Sequence, residues 1–165
     1  MVLKADRDIR ADRVDVYLNE AGSKGDLVVA STYASGVAMD NTAQLGTIAA
    51  SPSGAVVLGV LLTDVVDIDP TRQFLNTQKD ETIKGNKVQI GINGWVVADN
   101  IEVGDVTAGE AAYIGNSGQF ATAAAVAGYG ATVTEEANAT VYRMVGRFET
   151  TKDESGFARI SLSIV

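Results

Sequence analysis

The sequence predicts an all-β protein, a compact β-barrel or β-sandwich, and three observations carry this prediction. Residues 158–164 alternate strictly between apolar and polar side chains, which is the period of a strand with one buried and one solvated face. Residues 55–62 form an apolar run rich in β-branched side chains. Between residues 87 and 121, short apolar runs recur at the spacing of roughly ten residues that barrels and sandwiches show.

The chain begins with a segment unlike the rest, residues 1–13. Lys4, Arg7, Arg10 and Arg13 interleave there with aspartates. We predict an extended arm that docks on a partner, although a short helix or a frayed, solvated terminus also fits the pattern. Val14, Val16 and Leu18 then alternate with polar residues and predict a first strand. Residues 1–20 are thus the arm and first strand, and residues 21–165 are a single β domain.

The first half of the β domain holds two predicted strands and a long loop. Residues 27–31 predict a short strand, and residues 33–54 a small-residue loop with weak strand content. Residues 55–69 predict one strand buried on both faces, which ends at Asp69-Pro70 because the residue before a proline is restricted. Residues 71–84 are polar and predict a loop or an edge strand.

The second half predicts hairpins and one insertion. Asn93-Gly94 is typical of a two-residue hairpin turn and would join strands at 87–92 and 95–98. Short strands follow at 101–103, 111–114 and 119–121. Residues 121–140 are rich in Ala, Thr and Gly and predict an inserted loop, with a short helix around 135–139. Residues 145–165 predict a hairpin around a polar turn at 150–156, with Met144 and Phe148 on one face of its first strand and Arg147 on the other.

Composition excludes several kinds of chemistry. The chain has no cysteine and no histidine, which removes disulfides, thiolate or histidine metal sites and histidine-based catalysis. The formal net charge of −8 disfavours general binding of nucleic acid. No apolar run approaches the length of about 20 residues that spans a bilayer. We therefore expect no enzyme activity, no catalytic or metal-binding residues, no cofactor, no nucleic-acid partner and no membrane partner.

Three features invite a chemical interpretation and have a simpler alternative. Asp64, Asp67 and Asp69 suggest a calcium site but lack the EF-hand spacing, so a solvated strand end is favoured. The Lys-Asp-Glu triplets at 79–81 and 152–154 are more typical of solvated turns than of paired catalytic carboxylates. Trp95 could stack a sugar, but a core or subunit contact is favoured for it, and we predict the same contact role for Tyr113.

An ordered set of segments resembles a known class of proteins. The segments are Arg72 with Asn76-Thr-Gln-Lys-Asp80 and Gly85-Asn-Lys-Val-Gln-Ile90; Gly94-Trp-Val-Val97; Thr107-Ala-Gly-Glu-Ala111 with Tyr113; and Val145-Gly-Arg-Phe-Glu149 with Gly156-Phe-Ala-Arg-Ile160. Together they resemble the small head decoration, or cement, proteins of tailed bacteriophages, over residues 55–165. The resemblance implies a mostly β fold, with a β-tulip-like barrel as one form, that is often homotrimeric.

The resemblance also implies a function. Such proteins sit on the outer surface of the capsid, bind the major capsid protein and stabilise the mature head, commonly with an extended N-terminal arm. Arg7, Arg10, Arg13, Val14 and Val16 are the candidate capsid-binding residues here. We expect a virion protein on the outer capsid surface, made in the host cytoplasm. A tail or fibre-type virion module that binds host glycans through Trp95 and Tyr113 is the alternative, and an enzyme is the weakest one.

Overall fold

The structure is a computed structural model that describes residues 10–31, 44–51, 54–67, 81–102, 104–128 and 143–164. Within these ranges the chain forms eleven strands, one 3₁₀ turn and one short α-helix. The elements are, in order, β1 (Arg10–Leu18), β2 (Leu27–Ala30), β3 (Gln44–Ile48), β4 (Val57–Leu61), β5 (Asp64–Val66), β6 (Glu81–Ile83), β7 (Lys87–Ala98), β8 (Ala111–Ile114), a 3₁₀ turn (Asn116–Gly118), β9 (Phe120–Ala121), α1 (Ala123–Gly128), β10 (Met144–Phe148) and β11 (Ala158–Ser163).

Five strands close into a barrel, in the order β1, β3, β2, β4, β7. An antiparallel pairing of β1 with β7, from Arg10 opposite Trp95 to Tyr17 opposite Lys87, joins the two ends of that order. Closure removes the open sheet edges that would otherwise offer unpaired backbone groups. The predicted all-β fold is thus confirmed, and of the two predicted architectures the molecule adopts the barrel.

The long strand β7 belongs to the barrel and also to a second sheet, which we call the extension. Beyond β7 the sheet continues through β11, β10, β8 and β9. Residues 93–98 of β7 pair with β11, and residues 90–91 pair with β4. Because β1 pairs with both stretches, β4 and β11 must occupy the other edge of β7 one after the other. The extension therefore begins at residue 93 of β7, beyond the residues that pair with β4.

Two hydrophobic cores correspond to the two parts of the fold. One joins residues of β1, β2, β4, β5 and β7, including Val16, Leu18 and Ile90. The larger core lies between the inner face of the extension, with Phe148 and Ile160, and the opposite faces of β2 and β4. Strands β2 and β4 contribute to both cores, which is why their sequence is apolar on successive residues rather than on alternate ones.

The predicted hairpin at Asn93-Gly94 is wrong, because residues 87–98 form one continuous strand. Opposite β1, Asp12 pairs with Asn93 and Arg13 with Gly91, so Ile92 is an extra residue in β7. Gly94 has a φ of 117°, a region that disfavours other residues. In this chain the Asn-Gly pair accompanies a β-bulge, which bends and twists β7 as it passes from the barrel into the extension.

The single strand predicted at residues 55–69 is also wrong, because two strands of different sheets occupy it. β4 belongs to the barrel, and β5 pairs in parallel with β6 in a separate two-stranded sheet. A register shift opposite Val28 and Val29 adds a residue to β4. Both faces are buried as predicted, but strict alternation fails because the shift moves Val57 and Val60 to the same core.

The Ala-rich insertion begins with a helix where the sequence predicts a loop, and the predicted helix around 135–139 stays a prediction. Residues 123–128 form α1, at the start of the insertion, whereas residues 135–139 lie outside the described residues. The C-terminal hairpin is confirmed, with β10 and β11 antiparallel and Phe148 opposite Ile160. Ala158, Ile160 and Leu162 are buried as the alternation predicts.

A buried polar cluster fastens the turn before β2 to the extension. The Nδ2 of Asn100 donates to Oδ1 of Asp26 at 2.9 Å and to the carbonyl oxygen of Gly118 at 3.1 Å. Oδ2 of Asp26 accepts the backbone N–H of Ser23 at 2.8 Å. Burial raises the pKa of the Asp26 carboxyl above its usual value, with a smaller contribution from the nearby Asp64, although the bonds from Ser23 and Asn100 oppose that rise.

This raised pKa predicts how the Asp26→Asn variant responds to pH. A folded state that holds the Asp26 proton more tightly than the unfolded state gains stability below the unfolded pKa, near pH 4, and loses that gain as pH rises through the folded pKa. We expect urea unfolding to give a free-energy difference, wild type minus variant, that falls as pH rises above about 4 and then levels off. A free-energy difference that stays constant or grows over this range would mean that the folded state does not hold the Asp26 proton more tightly than the unfolded state.

Candidate docking face

The structure places Trp95 and Tyr113 on the same side of the extension. Trp95 pairs with Ser161 of β11, Ser161 with Arg147 of β10, and Arg147 with Ala111 of β8. Paired residues point to the same side of a sheet, so this row crosses the outward surface. Tyr113 lies two residues along β8, opposite Met144, and about 16 Å from Trp95 at the usual spacing of strands and rise per residue.

We call this outward surface the extension face. Its members are Trp95, Tyr113, Met144, Arg147, Arg159 and Ser161. The predicted subunit-or-core contact residues, Trp95 and Tyr113, are half-buried and lie on the two outer strands of this face, β7 and β8. Neither belongs to a core cluster of the described residues.

Arg159 is fixed against Trp95. The centre of its guanidinium group lies 4.1 Å from the centroid of the indole ring, a distance at which the cation is attracted to the π face. The same group forms an ion pair with Glu149, at the end of β10. One side of the indole is therefore occupied by a cation of the protein itself.

A β-bulge in β10 brings Met144 and Arg147 to the same face. The pairing of β10 with β8 shifts register between Met144 and Gly146. Val145 and Phe148 are consequently buried, whereas Met144 is 53% exposed and Arg147 is exposed. The prediction that Met144 shares a face with Phe148, opposite Arg147, is wrong, because alternation counted from the sequence does not allow for the extra residue.

The extension face is most open at β10. Val97, which points outward next to Arg159, is 3% exposed. At the other edge Ala121, opposite Tyr113, is fully buried, and α1 packs beside β8. The exposed side chains of Met144 and Arg147 therefore lie between strands whose outward side chains are more deeply buried. Neither residue is among the predicted contact residues. The only sequence feature that marks them is an arginine close to an apolar residue in a predicted strand.

The predicted arm residues separate into three groups. Arg7 lies outside the described residues. The backbones of Arg10, Arg13 and Val14 lie within β1, with Arg10 opposite Trp95. Val16 is 1% exposed and belongs to the barrel core, so it leaves the candidate capsid-binding set. The backbone of the first residue of β1 consequently lies beside the β7 residue that carries Trp95.

The acidic candidates for chemistry have structural partners. Oδ1 of Asp64 accepts the backbone N–H of Lys24 at 2.7 Å, and Asp67 forms an ion pair with Lys84 at 2.7 Å. Asp69, Lys79 and Asp80 lie outside the described residues. Among the residues that the structure describes, no group of three or more acidic side chains has a geometry that could hold a metal ion, and no helix is long and apolar enough to cross a membrane.

The turn at 150–156 is organised by two of its residues. Oδ1 of Asp153 accepts the backbone N–H groups of Ser155 and Phe157, both at 2.9 Å. Nζ of Lys152 donates to the carbonyl oxygens of Glu102 and Gly104, at 3.3 and 2.8 Å. Lys152 and Asp153 thus hold the hairpin turn and tie it to the loop after β7, a role more specific than that of solvated turn charges.

Comparison with known proteins gives a match of fold. No protein-family model and no curated protein matches the sequence. Among solved structures, the chain is similar to the N base of the head fiber protein gp8.5 of bacteriophage phi29, with 12% sequence identity and a TM-score of 0.50. The match covers 93% of this chain and 95% of that one. The barrel with its extension is therefore an architecture that this chain shares, along nearly its whole length, with the base of a phage head fiber.

Proposed function

We propose that the protein is a structural component of a tailed-phage virion that binds the outside of the head and cements its capsomers. The observation that carries this proposal is the likeness of fold to the base of a phage head fiber, which extends over 93% of the chain. At 12% identity that likeness concerns architecture, and the assignment to a head comes from combining it with the resemblance of residues 55–165 to head decoration proteins.

The physical character of the chain suits this role. A closed barrel offers a rigid module, and a net charge of −8 keeps copies soluble at high concentration. A component repeated over a symmetric shell gains strength from many modest contacts. We further propose that the protein is not an enzyme, that its partners are the major capsid protein and further copies of itself in a trimer, and that it needs no cofactor.

A second candidate follows from the role of the similar structure, which is the base of a fiber. The protein would then anchor a longer appendage to the head without strengthening the shell. Heating DNA-filled heads made with and without the protein separates the two functions. Cementing predicts that heads lacking it release DNA at a lower temperature. An anchoring base predicts the same release temperature and the loss of a protrusion in electron micrographs.

The glycan-binding alternative meets an obstacle at Trp95. A sugar that stacks on an indole needs an open ring face, and Arg159 lies over one face of this ring at 4.1 Å from its centroid. A glycan-array screen tests the alternative. Binding that is lost in Trp95→Ala would favour it over the capsid role.

Removing residues 1–9 tests the arm. The boundary follows from the structure, because β1 begins at Arg10 and a deletion through residue 13 would remove four residues of a barrel strand. We expect the truncated protein to keep its circular dichroism spectrum and melting temperature and to bind heads at least about tenfold more weakly, since an arm adds avidity. Cosedimentation with heads made without the protein measures this binding.

A charge-only variant, Arg7→Ala in the full chain, serves as the matched control for the truncation. Intermediate binding by this variant would show that the arm acts partly through its cations. Full occupancy of heads by the truncated protein would rule out the arm as a capsid-binding element and leave the barrel and extension as the sole points of attachment.

A further inference from the structure

We propose that the extension face is the surface that docks on the head, and that its partner is an acidic patch of the capsid shell. This inference rests on the proposed function and adds to it a location and a chemistry. Its centre is the exposed pair Met144 and Arg147 on β10, flanked by Arg159 stacked on Trp95.

Charge is the first argument for an acidic partner. The chain carries 21 acidic and 13 basic residues, yet the row that crosses the extension face from Trp95 through Ser161, Arg147 and Ala111 contains an arginine and no carboxylate. Arg159 adds a second cation, and Glu149, which forms an ion pair with it, adds one carboxylate beside the row, so Arg147, Arg159 and Glu149 together carry a net charge of +1. A cationic, partly apolar face on an acidic protein is attracted to a negative surface while the remainder of the body is repelled, so charge also orients the protein.

The chemistry of the side chains is the second argument. Arginine and methionine, together with aromatic residues, are enriched in protein–protein interfaces. Met144 is unbranched and 53% exposed, so it can adapt to an irregular apolar recess. Arg147 offers a planar group that binds a carboxylate through two hydrogen bonds.

The small area of the extension face is the third argument, because it favours a partner that offers many identical binding sites. Four strands at the usual spacing and five residues of β10 give a face of roughly 300 Å², less than half of the roughly 800 Å² per side of a standard stable interface. One such face would hold a pair of free copies only weakly. Many copies on a symmetric shell would together bind strongly.

Two variants that change the net charge equally test the proposal. Arg147→Glu reverses a charge at the centre of the face. Lys87→Glu reverses the charge of Lys87, which is exposed at the start of β7, in the barrel and outside the extension face. Each is mixed with heads made without the protein, and bound protein is measured by cosedimentation at several salt concentrations after melting curves confirm folding.

We expect Arg147→Glu to weaken binding roughly tenfold and to flatten its dependence on salt, whereas Lys87→Glu stays within about twofold of wild type. Met144→Ser should weaken binding without changing the salt dependence. If the wild type binds heads and Arg147→Glu binds equally well, the docking face is wrong while the capsid function stands. If the wild type does not bind heads, the proposed function fails and this inference with it.

The same two variants also test two other possible occupants of the face, a second copy of the chain and a nucleic acid. Sedimentation equilibrium of the free proteins would reveal a second copy as the occupant if Arg147→Glu dissociates an oligomer that Lys87→Glu preserves. A fluorescent DNA duplex would reveal a nucleic-acid site if the wild type binds it and Arg147→Glu does not. Either result would overturn the assignment to an acidic capsid patch.

Discussion

Replacing Gly146 with alanine is expected to destabilise the protein by about 3 kcal/mol or more, at the upper end of what overpacking costs. A methyl group on Gly146 would overlap the carbonyl oxygen of Ser161 and lie 2.9 Å from its carbonyl carbon. Both atoms belong to the backbone of β11, so no side-chain rotation can relieve the contact. Strands β10 and β11 would have to separate at the bulge that places Arg147 on the extension face.

The same substitution at Gly156, in the turn of the same hairpin, is the matched control. Gly156 has a φ of 84° and no atom within 4 Å of the position of a Cβ, so its replacement costs only the roughly 1–2 kcal/mol of a left-handed residue. Urea unfolding followed by the fluorescence of the single tryptophan measures both variants. Equal losses of stability at the two positions would mean that β10 and β11 can move apart at little cost.

Truncating Phe148 to alanine is the second large effect, with an expected loss of about 3–5 kcal/mol. Phe148 is fully buried in the larger core, opposite Ile160. Its removal would leave a cavity between the extension and strands β2 and β4. Since small domains are stable by only about 5–15 kcal/mol, the variant should be marginally folded and its melting temperature should fall steeply.

Met144→Ala provides the comparison within the same strand. Met144 is 53% exposed, and truncation of an exposed side chain usually changes stability by less than about 0.5 kcal/mol. Unfolding free energies of the two variants therefore separate the inner face of β10 from its outer one. If both lost similar stability, the assignment of Phe148 to the core and Met144 to the surface would be wrong.

Much of the β fold could be predicted because local patterns express burial directly. The alternation at residues 158–164 identified β11 and its buried face, since nothing interrupts the pleat there. Residues 27–31 and 111–114 were predicted as strands because they are short apolar runs between turn residues, and the structure has β2 and β8 at these positions. The absence of cysteine and histidine excluded disulfides and histidine-based catalysis from the sequence alone.

Several of the failures have a common physical cause, which is the β-bulge. An extra residue at Ile92, one in β4 and one in β10 each shift the faces of a strand, and sequence periodicity cannot reveal them. Asn93-Gly94 has the same local preference in a hairpin turn as in a bulge, and only the partners on both edges of β7 decide between the two. The exposure of Met144 and Arg147 depends on such a bulge, which is why the extension face could not be predicted.

The position of β7 also orders the assembly of the molecule in time. All five barrel strands lie within residues 10–98, and the extension strands follow from residue 111 onward. Domains form from the N-terminal side during synthesis, and the pairing of β1 with β7 is slow because it joins distant parts of the chain. The barrel can close before β10 and β11 leave the ribosome. The extension is then added last, and it covers the apolar outer faces that β2 and β4 leave open until that point.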